Sequence, residues 1–168
     1  MKTKLYVLCG LSFAGKSTLA KRLAEPLDAT IVECDQYISV VRPNSLSKLD
    51  EWRAIQNLAR AKTKTLLESG KNVLYDDLMV DPRNRAELAR LAEDYEAQAF
   101  TIYLNTSAET VRERQQQRSP TREQQVIWDE HTRLLLSQLV PPLKEESLYV
   151  EPGYEFNEVL DALTRRFR

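Results

Sequence analysis

The chain has 168 residues, 42% of them hydrophobic and 29% charged, with a formal net charge of −1. That size and balance give a soluble globular chain with a sizeable core and exclude disorder. They leave no strong basic field to hold a nucleic-acid backbone, which disfavours a polynucleotide substrate. No apolar run nears the ~20 residues of a membrane span. The short N-terminal apolar run leads straight into a loop, which is not a signal-peptide pattern. Cys9 and Cys34, the two cysteines, are read as reduced core thiols of a cytoplasmic protein. No repeat, low-complexity tract or Pro/Gly linker divides the chain, so residues 1–168 are read as a single domain.

Lys4-Leu5-Tyr6-Val7-Leu8-Cys9 is a short apolar run, the pattern of a buried parallel strand. It runs into Gly10-Leu11-Ser12-Phe13-Ala14-Gly15-Lys16-Ser17, which fits G-x-x-x-x-G-K-[ST], with Thr18 next. Lys16 to Ala24 then places Leu19, Ala20 and Leu23 on one helical face. Strand, glycine loop and helix in that order are the context the motif requires. Gly10 and Gly15 can take dihedrals closed to other residues, so successive N–H groups turn inward around an anion. The helix adds unpaired N–H groups and the positive end of its dipole. Lys16 brings an ammonium toward the β- and γ-phosphates, Ser17 a hydroxyl suited to Mg2+, and Thr18 a contact to the α-phosphate. The spacing predicts a triphosphate site built from Gly10, Ser12, Phe13, Ala14, Gly15, Lys16, Ser17 and Thr18.

Pro26 and Asp28 mark a turn, and Thr30-Ile31-Val32-Glu33 reads as a second strand ending at Cys34-Asp35-Gln36-Tyr37. Strand carboxyl ends line the crevice of an open α/β sheet, which puts Asp35 near the terminal phosphate if the strands are neighbours. Position alone leaves a helix N-cap as its other role. Residues 38–49 lack a period and read as a loop or short helical insertion beside the site. Tyr37 and Arg42 are candidate acceptor-binding residues there, Arg42 for an anionic acceptor. A helix from Asp50, its expected cap, to Glu68 carries Trp52, Ile55, Leu58 or Ala59, Thr63, Leu66 and Leu67, with Gly70 as its stop. Trp52 is assigned to the core. Lys71 to Asp77 reads as a third strand with an acidic end, the form of the second nucleotide motif, whose carboxylate orients Mg2+. Successive strand residues face opposite sides, and the choice between Asp76 and Asp77 stays open.

Asp81-Pro82 opens a helix as cap and first residue, with Leu88, Leu91, Ala92 and Tyr95 on its apolar face. Arg83 and Arg85 lie in its first turn, where the dipole disfavours cations, a hint of an anion partner. Phe100 to Leu104 is the fourth strand. The helix from Ala108 carries Arg112, Arg114 and Arg118, the last two on one face. Pro120 breaks it, and Thr121 caps the next helix with Gln124 at capping-box spacing. A basic helix–turn–helix over about residues 112–124 suits a lid, one guanidinium stacking on adenine and another meeting phosphate charge. The plainer reading is a solvated arginine face paired with Glu109 and Glu113. Arg122 to Val140 carries Val126, Ile127, His131, Leu134, Leu135 and Leu139; His131 is read as a surface or packed residue. Leu148 to Val150 is the fifth strand and Phe156 to Phe167 a closing helix. Five strands alternating with helices give an α/β fold with both sheet faces covered.

Taken together, GLSFAGKST, ECDQY, YDD…RNR and R-x-x-x-R resemble the small P-loop kinases of the AAA_33-like group. Its relatives include the 5′-hydroxyl polynucleotide kinase domain, chloramphenicol phosphotransferase and zeta-toxin-like kinases. The resemblance follows the whole chain and implies a P-loop NTPase sandwich with a parallel sheet of order 2-3-1-4-5. It implies that Asp35 accepts the proton of the acceptor hydroxyl, and that Asp76 or Asp77 is the second-motif acid. It implies that Arg114 lies nearer adenine and Arg118 nearer the transferring phosphate. Leu78 and Met79 replace polar residues often found after that acid, which departs from the group's pattern.

The expected reaction is in-line transfer of the ATP γ-phosphoryl to a hydroxyl, with Mg2+ as cofactor. Lys16, Asp35 and Arg118 are its expected catalytic residues. Ser17, Asp76 and Asp77 are the expected metal group. A small-molecule acceptor (metabolite, nucleoside or antibiotic) is preferred over a polynucleotide 5′-hydroxyl. A regulatory ATP-binding module without transfer is the other alternative. A GTPase switch would need D-x-x-G and N-K-x-D, and the sequence has neither.

Overall fold

A central strand flanked on both sides by parallel neighbours sets the architecture. A computed structural model describes residues 2–41, 48–118 and 120–166. Strand β1 (Lys4–Cys9) sits in the middle of a five-stranded sheet of order β2-β3-β1-β4-β5. The others are β2 (Ala29–Glu33), β3 (Asn72–Asp76), β4 (Gln98–Leu104) and β5 (Ser147–Val150), and every adjacent pair is parallel. Parallel neighbours need long crossovers, and helices supply them. They are α1 (Lys16–Ala24), the short α2 (Ile38–Val41), α3 (Lys48–Glu68), α4 (Pro82–Asp94), α5 (Ala108–Gln117), α6 (Arg122–Gln138) and α7 (Phe156–Arg166). This is the α/β P-loop NTPase fold, with the strand order expected from the sequence.

Alternation along β1 divides the core. Leu5, Val7 and Cys9 face one side and pack with Ile55, Ala59 and Leu66 of α3 and Leu88 and Ala92 of α4. Tyr6 and Leu8 face the other, against Leu19, Ala20 and Leu23 of α1 and Val159 and Leu163 of α7. Both faces are therefore apolar, as period-two side-chain alternation in a covered parallel strand demands. A smaller cluster of Leu11, Val80, Val111 and Leu135 joins the loop after β1 to α5 and α6.

Register is what makes the sheet a platform. Leu8 of β1 pairs with Asp76 of β3, and Asp76 pairs with Glu33 of β2. The three strands therefore end almost level. Gly10, Asp35 and Asp77 leave the same edge within two residues of that line.

Several local expectations are met by the expected chemistry. Asp81 caps α4 by accepting from the Arg83 N–H, with Pro82 behind it. Thr121 and Gln124 form a full capping box on α6. Gly70, at φ 74°, ends α3. Other details differ. Helix α3 begins at Lys48, so Asp50 is not its cap but a first-turn acid 3.8 Å from Arg53. Ala59, fully buried, takes the core position left open between it and Leu58. Helix α6 stops at Gln138, just ahead of Pro141-Pro142, and its expected apolar stripe is only partly used. Leu135 is buried, whereas Val126, Ile127 and Leu134 are more than half exposed. A helix resting on a loop cluster rather than on the sheet has less surface to cover it.

Gly10 carries a testable consequence. At φ 148°, a Cβ on it would lie 2.9 Å from the Leu104 backbone carbonyl oxygen, which cannot swing away. Gly10→Ala is expected to cost roughly 2–4 kcal/mol in urea unfolding, from overpacking plus a dihedral closed to alanine. Gly153→Ala is the control: its φ is 82° but nothing lies within 4 Å, so only the left-handed penalty of about 1–2 kcal/mol is expected. Equal losses at the two positions would contradict this account.

Candidate active site

The phosphate loop is held from outside. Arg114 of α5 donates from Nη1 to the carbonyls of Phe13 (3.0 Å) and Ala14 (2.6 Å). Thr106 also donates to the Ala14 carbonyl. Lys16, buried at the start of α1, donates from Nζ to the carbonyls of Gly10 (3.2 Å) and Leu11 (2.8 Å). The Gly10 N–H is taken by the Leu78 carbonyl beyond β3. Gly15, at φ 105°, precedes α1, and no side chain caps the helix. An uncapped helix start behind a glycine loop leaves N–H donors for an anion. Ser17 and Thr18 are exposed in that first turn.

The paired acids after β3 have different partners. Asp76 receives a hydrogen bond from the Ser17 side chain and feels the charge of Lys16. Asp77 turns toward α3. It accepts from its neighbour's Leu78 N–H (2.7 Å) and from Gln56 Nε2 (3.2 Å), and Cys34 also hydrogen-bonds it. Burial pushes both carboxyl groups above the usual range, with Ser17 opposing the shift at Asp76 and Leu78 and Gln56 opposing it at Asp77. Burial likewise pushes the Lys16 ammonium down, while Asp76 and Asp77 pull it back up. The site thus brings buried Asp76, Asp77 and Lys16 together where charges interact more strongly than in water.

A cavity of about 970 Å³ opens along this edge. Lys16, Ser17, Asp35, Asp76, Asp77 and Arg118 all line it, along with Ser12, Phe13, Gly15 and Thr18 of the loop. Gly10 and Ala14 shape the loop from behind. Arg114 lines no part of the cavity; its guanidinium is committed to the loop carbonyls. Tyr37 is half-buried against the sheet core and also stays out of the cavity. Arg42 lies outside the described residues. Arg83 is forked onto Asp81, with Nη2 2.6 Å from Oδ2. Arg85 donates to the carbonyls of Met79, Val80 and Val140. The protein itself therefore supplies the partners that a first-turn arginine pair seemed to ask of an anion. Arg112 pairs with Asp129 of α6, not with Glu109 or Glu113.

The cavity is also lined by residues the sequence did not single out for the site. Trp52, expected in the core, packs half-buried against it and also lines the cavity. Gln56, 7% exposed, stands one turn further along α3. A buried glutamine inside an otherwise apolar stripe was the available signal, since such a group must find a partner. His131 and Leu134 of α6 line the cavity too. Their position follows from how α6 lies over the loop, which helical periodicity does not encode.

Loop, uncapped helix, level strand ends and a hydroxyl–carboxylate pair define a P-loop NTPase nucleotide site. The family model for the AAA domain AAA_33 matches residues 5–142, and the chain belongs to that family. Three solved structures illustrate the likeness. Kti12 of Chaetomium thermophilum, in complex with ADP-AlF3, superposes with a TM-score of 0.74 at 17% identity, over 96% of this chain and 97% of its own. The APS kinase CysC of Mycobacterium tuberculosis, in complex with AMPPNP and APS, gives 0.70 at 15% identity, over 99% and 98%. A gluconokinase of Sinorhizobium meliloti gives 0.67 at 18% identity, over 99% and 95%. At such identities the likeness is one of fold. A search of curated proteins gives no match.

Burial of Asp77 yields a signed pH prediction. Its folded pKa is raised above the unfolded value. The stability its neutral form contributes is therefore whole below about pH 4 and is lost as pH rises through the folded value. Asp77→Asn removes that loss. The melting temperature of the variant is expected to gain on the wild type as pH rises above about 4, and to level off once the folded carboxyl has ionised. A difference that stays flat, or that shrinks with rising pH, would contradict the burial argument.

Proposed function

We propose that this chain is an ATP-dependent phosphotransferase that moves the γ-phosphoryl group to a hydroxyl of a small-molecule acceptor. One observation carries the reading. Asp35 opens onto the same cavity as Lys16 and the Ser17–Asp76 pair, so a carboxylate separate from the pair at Ser17 is available to a second substrate.

The Ser17–Asp76 pair fits Mg2+. A hard cation that keeps most of its waters asks for one or two protein oxygens, not a cage. Among the described residues no group of three or more His, Cys, Asp or Glu could hold a metal ion. Asp76 is chosen over Asp77 because Asp77 already accepts from Leu78, Gln56 and Cys34. Bound there with ATP, Mg2+ would neutralise charge on the β- and γ-phosphates.

Each residue then has one task. Loop and helix N–H groups hold the phosphates in line with the acceptor. Lys16 leaves the Gly10 and Leu11 carbonyls for the β- and γ-oxygens. Asp35 takes the proton of the acceptor hydroxyl as its oxygen bonds phosphorus and the bond from phosphorus to the ADP oxygen breaks. Arg118 meets the charge spread over the transferring group. Arg114 serves by bracing the loop. Residues 1–168 work as one domain, with the α5–α6 turn near residues 112–124 as its lid. Two buried free thiols suit a reducing cytoplasm, and among the described residues no helix is long and apolar enough to cross a membrane. A small acceptor is favoured over a polynucleotide by the net charge of −1.

Labelled ATP is offered with a panel of small alcohols and with 5′-hydroxyl oligonucleotides. Transfer to a small alcohol supports the reading. Transfer to oligonucleotides alone, or hydrolysis that no acceptor stimulates, contradicts it. Lys16→Ala is expected to lower transfer by about 10²–10³-fold. Asp35→Asn is expected to lower transfer while leaving ATP affinity in calorimetry within about twofold. Joint loss of both would make Asp35 a nucleotide-site residue instead.

A further inference from the structure

Phe13 occupies the third variable position of the phosphate loop with φ 62°. That conformation is free to glycine and costly to any residue with a Cβ. A strained non-glycine residue persists where its surroundings over-determine it, and at a functional loop the strain invites a functional reason.

We propose that Phe13 is a positioning residue: its ring docks helix α6 and holds the Arg118 guanidinium at the mouth of the phosphate loop. Three contacts carry this. The ring lies 4.9 Å from the Trp128 ring of α6, tilted by 55°. The Arg118 guanidinium carbon stands 5.2 Å from the Phe13 centroid. The same ring packs on the cluster that joins Leu11, Val80, Val111 and Leu135. The Phe13 carbonyl meanwhile accepts from Arg114. One loop residue therefore ties α5 by its backbone, the end of α5 by its ring face, and α6 by its ring edge or face.

The chemistry suits a holding point rather than a trap. Arg118 caps the C-terminus of α5 and is exposed, so an unrestrained side chain of its length would sample many rotamers. A guanidinium over an aromatic face is restrained but weakly held at an exposed site. A phosphate oxygen, making a charge-assisted bond, can draw it away. Phe13 thus places the cation within reach of the phosphates and releases it when charge develops there. Glycine at this position would relax the backbone and lose the holding point. This role presupposes the phosphotransfer proposed above, since Arg118 is given work only by that reaction.

Two measurements separate the role from a structural one. The first needs no turnover. In a Trp52→Phe background Trp128 is the only tryptophan, because the chain has two. Phe13→Leu, matched in thermal melting to its parent, is expected to raise acrylamide quenching of Trp128 at least twofold, and Phe13→Tyr to restore the parental value. Unchanged quenching in Phe13→Leu overturns the docking. The second is a double-mutant cycle on turnover. Phe13→Leu is expected to lower kcat about tenfold with KM for ATP little changed, and to cause no further loss in an Arg118→Ala background. Additive losses, or a loss confined to KM, overturn the positioning role. A wild type without transfer to any acceptor refutes the kinase reading alone, and the quenching result still decides the docking.

Discussion

The chemistry of this chain depends on one crowded junction, where the loop after β1 leaves the sheet between β3 and β4. Gly10 donates its N–H to the Leu78 carbonyl on one side and presses against the Leu104 carbonyl on the other. Only a residue without a side chain passes that gap. Because β1, β2 and β3 end level, whatever follows each strand arrives at the same edge. The loop, Asp35 and the Asp76-Asp77 pair are neighbours for that reason, although 66 residues separate Gly10 from Asp76 in the chain.

Electrostatics explain why the site is poised rather than settled. Burial raises both acids and lowers Lys16, so each charged group is held at a cost. Asp77 is compensated by Leu78, Gln56 and Cys34. Asp76 has the Ser17 hydroxyl and a share of Lys16. Lys16 spends its hydrogen bonds on loop carbonyls, which are weaker partners for an ammonium than phosphate oxygens. In the proposed reaction a magnesium-bound triphosphate would replace these makeshift contacts with charge-assisted ones.

Much of this arrangement was legible in the chain itself. Local signals were strongest where one residue type answers one backbone need. Gly15 before α1, Asp81-Pro82 before α4, and Thr121 with Gln124 before α6 mark their helix starts. The short apolar run of β1 could be read as a doubly covered strand, and with it the α/β sandwich. What the sequence concealed depends on how elements lie against one another. The arginines show this best. Arg85 suggested an anion partner, and Arg112 and Arg114 a lid or a solvated arginine face. Carbonyls or acids far away in sequence occupy them: Val140 for Arg85, Asp129 for Arg112, and Phe13 and Ala14 for Arg114. Asp76 and Asp77 could not be separated by a two-residue period, because Asp77 already lies beyond the strand. Trp52 satisfied the core pattern and also faces the cavity, since half-burial allows both.

If the loop and the Ser17–Asp76 pair together grip a magnesium-bound triphosphate, removing the Asp76 carboxylate should remove the metal's contribution to binding. Calorimetric titration of ATP into the wild type and into Asp76→Asn, each with and without Mg2+, tests it most directly. Mg2+ is expected to tighten ATP binding to the wild type at least tenfold, and Asp76→Asn to abolish most of this gain. Absence of binding heat in the wild type, or a magnesium effect equal in both proteins, would contradict it.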